Sequence, residues 1–203
     1  MVSRTQWSSG AAALTVTLAV CGTAHADRLT IKQPGLHPDY GFEAEPHALL
    51  GLINPPGPAN DEGFGLGFRG TIEVFDNGFI QSINNTIGIG FGIDYIHYDD
   101  DDRYWCGGPG NRRFCDWGDD FDFNYFFFPV VMQWNFWLSQ NWSVFGEVGA
   151  ALYYVDADWW DDGELEVSPF IFSAGGRFHF ADFAALTMRI GYPAFSVGVS
   201  FFL

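Results

Sequence analysis

Acidic residues are the most concentrated chemical feature of this 203-residue chain. Residues 99–122 contain eight acids and three arginines, and residues 156–166 contain six further acids and no base. Carboxylate oxygens packed in this way are hard ligands suited to Ca²⁺ or Mg²⁺. The stretch from Asp120 begins like a calcium-binding loop, but Tyr125 and Val131 stand where that loop needs glycine and glutamate, which excludes an EF-hand.

Loose binding of divalent cations is therefore one hypothesis for the acidic stretch, and a solvated acidic surface is the alternative. No cofactor is expected. The candidate cation ligands are Asp99, Asp100, Asp101, Asp102, Asp119, Asp120 and Asp122.

Nucleophilic chemistry has weaker support. Acyl transfer needs a histidine beside a serine or an equivalent nucleophile, and the histidines after residue 26 are His37, His47, His97 and His179. No serine is set beside His97 by spacing, and the glycine runs at 63–67 and 88–92 are not followed by a helix that could bind phosphate. We predict no catalytic residue, and an acyl hydrolase or transferase acting on lipid A is the less favoured alternative.

The first 26 residues have the order of a secretory signal peptide. Arg4 precedes an apolar run at 11–20, and Ala24-His25-Ala26 forms a small-residue cleavage site. The apolar run is about half of the roughly 20 residues that a membrane-spanning helix needs. Cleavage after Ala26 is predicted, and lipidation at Cys21 is less favoured because Val20 is bulkier than the residue usual before a lipidated cysteine.

Export determines how the remaining charge and cysteines are interpreted. Without Arg4 the net charge is about −17, which excludes nucleic acid as a partner. An oxidising compartment permits Cys106 and Cys115, which lie in one polar loop, to form a disulfide.

Period-two alternation of apolar with small or polar residues predicts strands after the leader. In residues 64–74 the even positions are apolar or glycine and the odd positions are small or charged. No stretch keeps helical spacing over three turns. The eight predicted strands are residues 41–52, 64–75, 86–98, 123–138, 142–155, 165–178, 184–191 and 194–203.

The two faces of these strands favour a membrane barrel over a soluble sandwich. One face is a continuous series of Phe, Ile, Val and Leu, and the other is mostly Gly, Ser and Thr with isolated charges. Small residues suit a narrow barrel interior and large apolar residues suit lipid, while closure of the sheet pairs every backbone group. Long acidic connections alternate with short turns at 139–141 and 179–183, as in outer-membrane barrels, whereas the conformation of 76–85 is left open.

Aromatic residues near the strand ends predict interfacial belts. The candidates are Trp137 and Trp142 at one end and Tyr95, Tyr154, Trp159 and Trp160 at the other. Aromatic residues of the outer loops, such as Tyr104, Trp105 and Trp117, could instead bind a partner or a glycan.

Isolated charges on the polar face should meet inside the barrel. An eight-stranded barrel is filled by its side chains, so a paired network is expected, with a narrow gated path for ions or small solutes as the alternative. The predicted interior residues are Glu43, Glu45, His47, Arg69, Glu73, Asp94, Glu147, Arg177 and Arg189.

The last strand carries the most specific motif, because "SVGVSFFL" resembles the C-terminal signal of bacterial outer-membrane proteins. Ser196, Gly198, Phe201 and Leu203 occupy its four positions, although that family usually ends on an aromatic residue. The resemblance implies that the outer-membrane assembly machinery recognises this strand. Residues 40–203 resemble the small eight-stranded barrels of the OmpA/OmpX type.

The sequence thus predicts an all-β fold, an antiparallel up-and-down barrel over residues 40–203, preceded by a signal peptide (1–26) and a periplasmic segment (27–39). The expected protein is integral to the outer membrane, in contact with its lipid and lipopolysaccharide. A structural or surface-interaction role is expected rather than an enzymatic one.

Overall fold

Ten β-strands make up the regular structure of the residues that can be described. The computed structural model describes residues 28–51, 63–100, 104–107, 114–117, 121–157 and 164–203. Among these residues no helix is long and apolar enough to cross a bilayer. The strands are β1 (Phe42–Gly51), β2 (Gly63–Phe75), β3 (Asn85–Asp100), β4 (Tyr104–Gly107), β5 (Phe114–Trp117), β6 (Phe121–Trp137), β7 (Trp142–Ala157), β8 (Glu164–Ala181), β9 (Ala184–Gly191) and β10 (Phe195–Phe202).

Eight of these strands close into one barrel in the order β1-β10-β9-β8-β7-β6-β3-β2. Every pairing is antiparallel, and β1 pairs with β10 to complete the circle. Closure satisfies the backbone groups that an open sheet edge would leave unpaired. The predicted eight-stranded antiparallel meander is confirmed, and each predicted strand overlaps one barrel strand.

The barrel has two different ends. The "turn end" carries the connections β2–β3, β6–β7 and β8–β9, together with the start of β1 and the end of β10. The "loop end" carries the connections β1–β2, β3–β6, β7–β8 and β9–β10. The long acidic connections of the sequence therefore share one end, as the alternation of loop lengths predicts.

A short hairpin, β4–β5, lies within the connection between β3 and β6 and was not predicted from the sequence. Its register places Cys106 opposite Cys115. Opposed residues of an antiparallel pair have Cα atoms about 4.5–5.5 Å apart, a spacing that a disulfide spans. The disulfide itself stays a prediction.

The connection between β2 and β3, which the sequence left open, consists of turns anchored by one asparagine. The side-chain nitrogen of Asn85 donates to the carbonyls of Ile80 and Ile83, each at 2.8 Å. Its side-chain oxygen accepts from the indole N–H of Trp134 at 2.9 Å, and Phe79 packs edge-on against the same indole. The connection is thereby fixed to the outer wall of the barrel.

The last strand follows the predicted alternation. Phe201 and Leu203 point outward with exposed fractions of 38% and 70%, whereas Ser196 and Ser200 are buried. Phe202 points into the barrel. The chain thus ends in a paired strand whose apolar residues face outward.

Residues before β1 cross the turn end. The backbone N–H groups of Thr30 and Ile31 donate to the carbonyl of Leu138, and the N–H of Asn84 donates to the carbonyl of Ile31. His37 then stacks on Trp137, with ring centroids 5.4 Å apart. This "N-terminal strap", residues 28–40, lies across the mouth of the barrel.

Candidate functional site

The barrel interior gathers most of the charged residues predicted for it. Alternation along β1 directs Glu43, Glu45 and His47 inward, because successive side chains of a strand point to opposite faces. The other strands contribute single charges at inward positions, and all are buried. These are Arg69 on β2, Asp94 on β3, Glu147 on β7, Arg177 on β8 and Arg189 on β9.

Arg177 is the centre of the charge cluster nearest the turn end. Its Nη2 atom donates to both carboxylate oxygens of Glu43, at 2.7 and 2.9 Å, and Nη1 donates to Asn135 Oδ1 at 2.7 Å. The guanidinium also lies 4.1 Å from the ring centroid of Phe145. Since Arg177 is 0% exposed, neither charge of this pair has water as an alternative partner.

Six further side chains form a closed circuit in which carboxylates alternate with arginine or histidine, and we call it the charged ring. Its nitrogens and oxygens meet in the following order: His47 Nε2 to Asp94 Oδ1 at 2.9 Å, Asp94 Oδ2 to Arg69 Nη2 at 3.2 Å, Arg69 Nη1 to Glu147 Oε2 at 3.4 Å, Glu147 Oε2 to Arg189 Nε at 3.1 Å, Arg189 Nη1 to Glu45 Oε1 at 2.8 Å, and Glu45 Oε1 to His47 Nδ1 at 3.5 Å. Each carboxylate has two cationic or polar neighbours, as buried charges require.

Glycine provides the space for this ring. A Cβ atom added at Gly67 would lie 2.3 Å from Asp94 Oδ1 and 2.4 Å from His47 Nε2. The bond between Asp94 and His47 therefore passes directly over the Gly67 backbone. The sequence predicts small residues for a narrow interior at the alternating glycines of β2 and β3. At Gly67 the missing side chain leaves the space that the Asp94–His47 contact occupies.

An apolar layer closes the loop end above the charged ring. Its members are buried and pack together, and they are Leu49, Ile96, Tyr98, Tyr125, Phe127, Val131, Ala151, Tyr153, Ile171 and Ala194. Between this layer and the ring lies a cavity of about 30 Å³, which is room for about one water molecule.

A second apolar layer closes the turn end. Tyr40, Trp137, Ala185 and Phe202 form one buried cluster under the strap. Burial raises the pKa of the Tyr40 phenol well above its usual range, and the nearby carboxylate of Glu43 adds to the effect. Trp137, predicted from the sequence to lie in an interfacial belt, is instead buried in this layer, because its position in β6 points inward. Trp142 is exposed, as the belt predicts.

A serine and a histidine that the sequence did not bring together meet inside the turn end. Ser143 Oγ lies 2.8 Å from His179 Nε2, because β7 and β8 are paired neighbours. Ser143 is 0% exposed, and Nδ1 of His179 has no hydrogen-bond partner among the described residues. A hydrolytic triad needs an acid at that nitrogen and access of a substrate to the hydroxyl. No described acid contacts Nδ1, and the buried Ser143 hydroxyl is closed to a substrate in this arrangement.

Other predicted site residues lie apart from the charge clusters. Glu73 is half-buried at the turn end and forms no ion pair with any described residue. The predicted cation ligands fall outside the residues whose side chains the structure describes, as do Trp159 and Trp160. In the described part of the chain no group of three or more His, Cys, Asp or Glu side chains is placed to hold a metal ion.

Sequence reasoning found the charges and missed the uncharged groups between them. Gln133 Nε2 donates to Asn135 Oδ1 at 2.9 Å, and Thr71 Oγ1 donates to Gln133 Oε1 at 3.1 Å. The signal for Gln133 and Asn135 is their polar character at alternate positions of the otherwise apolar strand β6.

Similarity to a solved structure places the barrel among known folds. The crystal structure of Neisserial surface protein A matches over 80% of this chain and 97% of that chain, with a TM-score of 0.52 and 14% sequence identity. This chain has the fold of the small eight-stranded outer-membrane β-barrels.

A second outer-membrane barrel of this size is also similar. The crystal structure of Ail, the attachment invasion locus protein of Yersinia pestis, in complex with the heparin analogue sucrose octasulfate, covers 79% of this chain and 94% of that chain. Its TM-score is 0.47 and its sequence identity 13%. No family model and no curated protein sequence matches the chain.

Proposed function

We propose that the protein is an integral, non-enzymatic barrel of the bacterial outer membrane that holds acidic loops at the cell surface. The observation that carries this proposal is the filled interior. Two apolar layers enclose the charged ring and the Arg177 cluster, and the cavity between ring and loop-end layer has a volume of only about 30 Å³. An interior of this kind serves as a rigid scaffold.

The outer wall supports a membrane location. Its exposed side chains are large and apolar on every barrel strand, with Leu66 on β2, Ile93 on β3 and Phe172 on β8 as examples. In water such a continuous apolar surface would drive association, whereas lipid is its natural solvent. Tyr95 and Phe126 pack together near the loop end, where an interfacial aromatic belt is expected.

A gated pore is the competing function, and the contacts of the interior weigh against it. Water or ions would have to cross the layer around Trp137 and the layer around Phe127, both of which are almost fully buried. They would also have to separate guanidiniums from carboxylates that lie within hydrogen-bonding distance. Each such separation leaves a buried charge unpaired, which costs several kcal/mol.

The loops are the proposed functional surface. The acidic stretch at 99–122 continues from β3 at the loop end, and the facing positions of Cys106 and Cys115 support a disulfide that would fix its tip. Divalent cations bound loosely by the carboxylates would link this surface to the phosphates of lipopolysaccharide.

Assembly and export complete the proposal. The signal peptide is cleaved after Ala26, and the assembly machinery recognises the last strand through Ser196, Gly198, Phe201 and Leu203. The outward orientation of Phe201 and Leu203 supports this role because both side chains are accessible on the strand.

Cell fractionation combined with gel mobility tests the proposal. The mature protein should be found in the outer-membrane fraction and should run faster on a gel when unheated than after boiling, because a closed barrel resists detergent until it is heated. Protein found soluble in the periplasm would refute the membrane location.

Replacing the two long loops by short turns separates scaffold from surface function. A barrel whose loops at 101–120 and 158–163 are replaced should still show the heat-dependent mobility shift. Cells that carry this variant should lose the part of their detergent resistance that depends on divalent cations. Unchanged resistance would assign the function to the barrel instead.

A further inference from the structure

A groove of about 700 Å³ lies at the turn end, outside the sealed interior. It is bordered by residues 36–39 of the N-terminal strap, residues 139–141 of the β6–β7 turn and residues 179–183 around the β8–β9 turn, with Trp137 and Phe202 beneath. This volume falls within the range of roughly 300–1,000 Å³ typical of ligand pockets. In the proposed outer-membrane location the groove faces the periplasm. Only this location of the groove rests on the proposed function.

The groove is electrostatically one-sided. Asp39 and Asp182 line it, both are exposed, and neither forms an ion pair with any residue that the structure describes. No lysine or arginine is among its lining residues. Its two histidines contact other residues, His37 contacting Asp76 and His179 contacting Ser143. Two exposed carboxylates without a lysine or arginine beside them favour a basic ligand.

Apolar and hydrogen-bonding groups accompany these charges. Leu36 and Phe183 expose 44% and 62% of their surface at the groove. Gln140 and Asn141 supply amide side chains. Trp137, almost fully buried, forms part of the floor of the groove.

We propose that this groove binds an extended basic segment of a periplasmic protein. Lysine or arginine side chains of the segment would lie beside Asp39 and Asp182, and an apolar side chain would pack on Leu36 and Phe183. The exposed amide of Gln140 would hydrogen-bond to the backbone of the segment. Carboxylates interspersed with amide and apolar groups favour a peptide over a lipid chain, which offers no polar groups along its length.

The test uses the full mature protein, refolded in nanodiscs of uncharged lipid, and two blocked pentapeptides of sequence RLRLR and ELELE. Binding of the fluorescently labelled peptides is measured by anisotropy at physiological salt, with empty nanodiscs as background. The variant is the double substitution Asp39→Asn and Asp182→Asn. Its matched control, Asp156→Asn with Glu164→Gln, removes two carboxylates at the loop end.

The basic peptide should bind the wild type and the acidic peptide should not. Loss of both groove carboxylates should weaken binding about five-fold, since each exposed pair contributes a small attraction, and the control should bind like the wild type. Equal weakening in the control would show attraction to net charge alone and would overturn the site. Absence of binding above background would also overturn it.

These outcomes are independent of the proposed function. Heat-dependent mobility of each nanodisc sample establishes that the barrel is folded before binding is measured. A folded barrel that does not bind the peptide therefore overturns the groove inference only, and leaves the scaffold function intact.

Discussion

Removing the Arg177 guanidinium should destabilise the barrel more than any exposed charge change. In Arg177→Met the aliphatic part of the side chain is approximately retained, but the Glu43 carboxylate loses a donor that contacts both of its oxygens. Asn135 loses its 2.7 Å bond as well. Both members of the ion pair are buried, so water cannot replace the lost contacts.

The magnitude follows from the cost of an unpaired buried charge. Breaking such a pair by removing one partner costs about 3–5 kcal/mol, whereas replacing both partners by groups of similar volume is often neutral. The double variant Arg177→Met with Glu43→Gln should therefore regain at least about 2 kcal/mol of the free energy of unfolding lost in Arg177→Met. In both variants Asn135 Oδ1 loses the bond from Arg177 and keeps the 2.9 Å bond from Gln133, so full recovery is not expected.

The assay is equilibrium unfolding in urea, with the protein folded in detergent micelles and followed by tryptophan fluorescence. Arg28→Gln is the matched control, because Arg28 is exposed and such substitutions usually change stability by less than about 0.5 kcal/mol. A loss below about 1 kcal/mol for Arg177→Met, or a double variant no more stable than the single one, would refute the buried ion pair.

Three further changes test other parts of the structure. Gly67→Ala should cost about 2–3 kcal/mol of unfolding free energy because its methyl group would enter the charged ring, whereas Gly146→Ala, with no atom within 4 Å of the added carbon, should be nearly neutral in the same urea assay. Phe201→Asp with Leu203→Asp should leave unassembled chain in the periplasm, and normal heat-dependent mobility of that variant would contradict the assembly role. Folding raises the pKa of Tyr40, so the unfolded chain deprotonates first above about pH 10 and the free energy of unfolding falls there. Tyr40→Phe should reduce this loss of stability between about pH 9 and about pH 11. An unchanged loss would disprove the assignment of this pH dependence to Tyr40.

Strand positions were predictable because a barrel wall imposes a strict period of two. Inward and outward residues of β10 alternate between serine or glycine and large apolar groups, so the face of Phe201 follows directly from the sequence. The same alternation directs the buried charges inward, since a charge on the lipid side would cost several kcal/mol, whereas Glu73 is only half-buried.

Positions that depend on neighbours across the barrel were not predictable. The Ser143–His179 contact joins two strands through their register, which single-strand periodicity does not determine. Nearness to a turn predicts a surface position for Trp137, whereas its place in the alternation of β6 points it inward. The N-terminal strap has no strand pattern, and its course follows from hydrogen bonds to Leu138 and Asn84.

Conductance across a planar bilayer tests the central claim, a barrel sealed by its own side chains, most directly. Protein folded in detergent and shown to be heat-modifiable is added to a bilayer under applied voltage. The filled interior predicts a current no different from that of the bilayer alone. Steady single-channel openings would contradict a closed scaffold and would favour the gated pore.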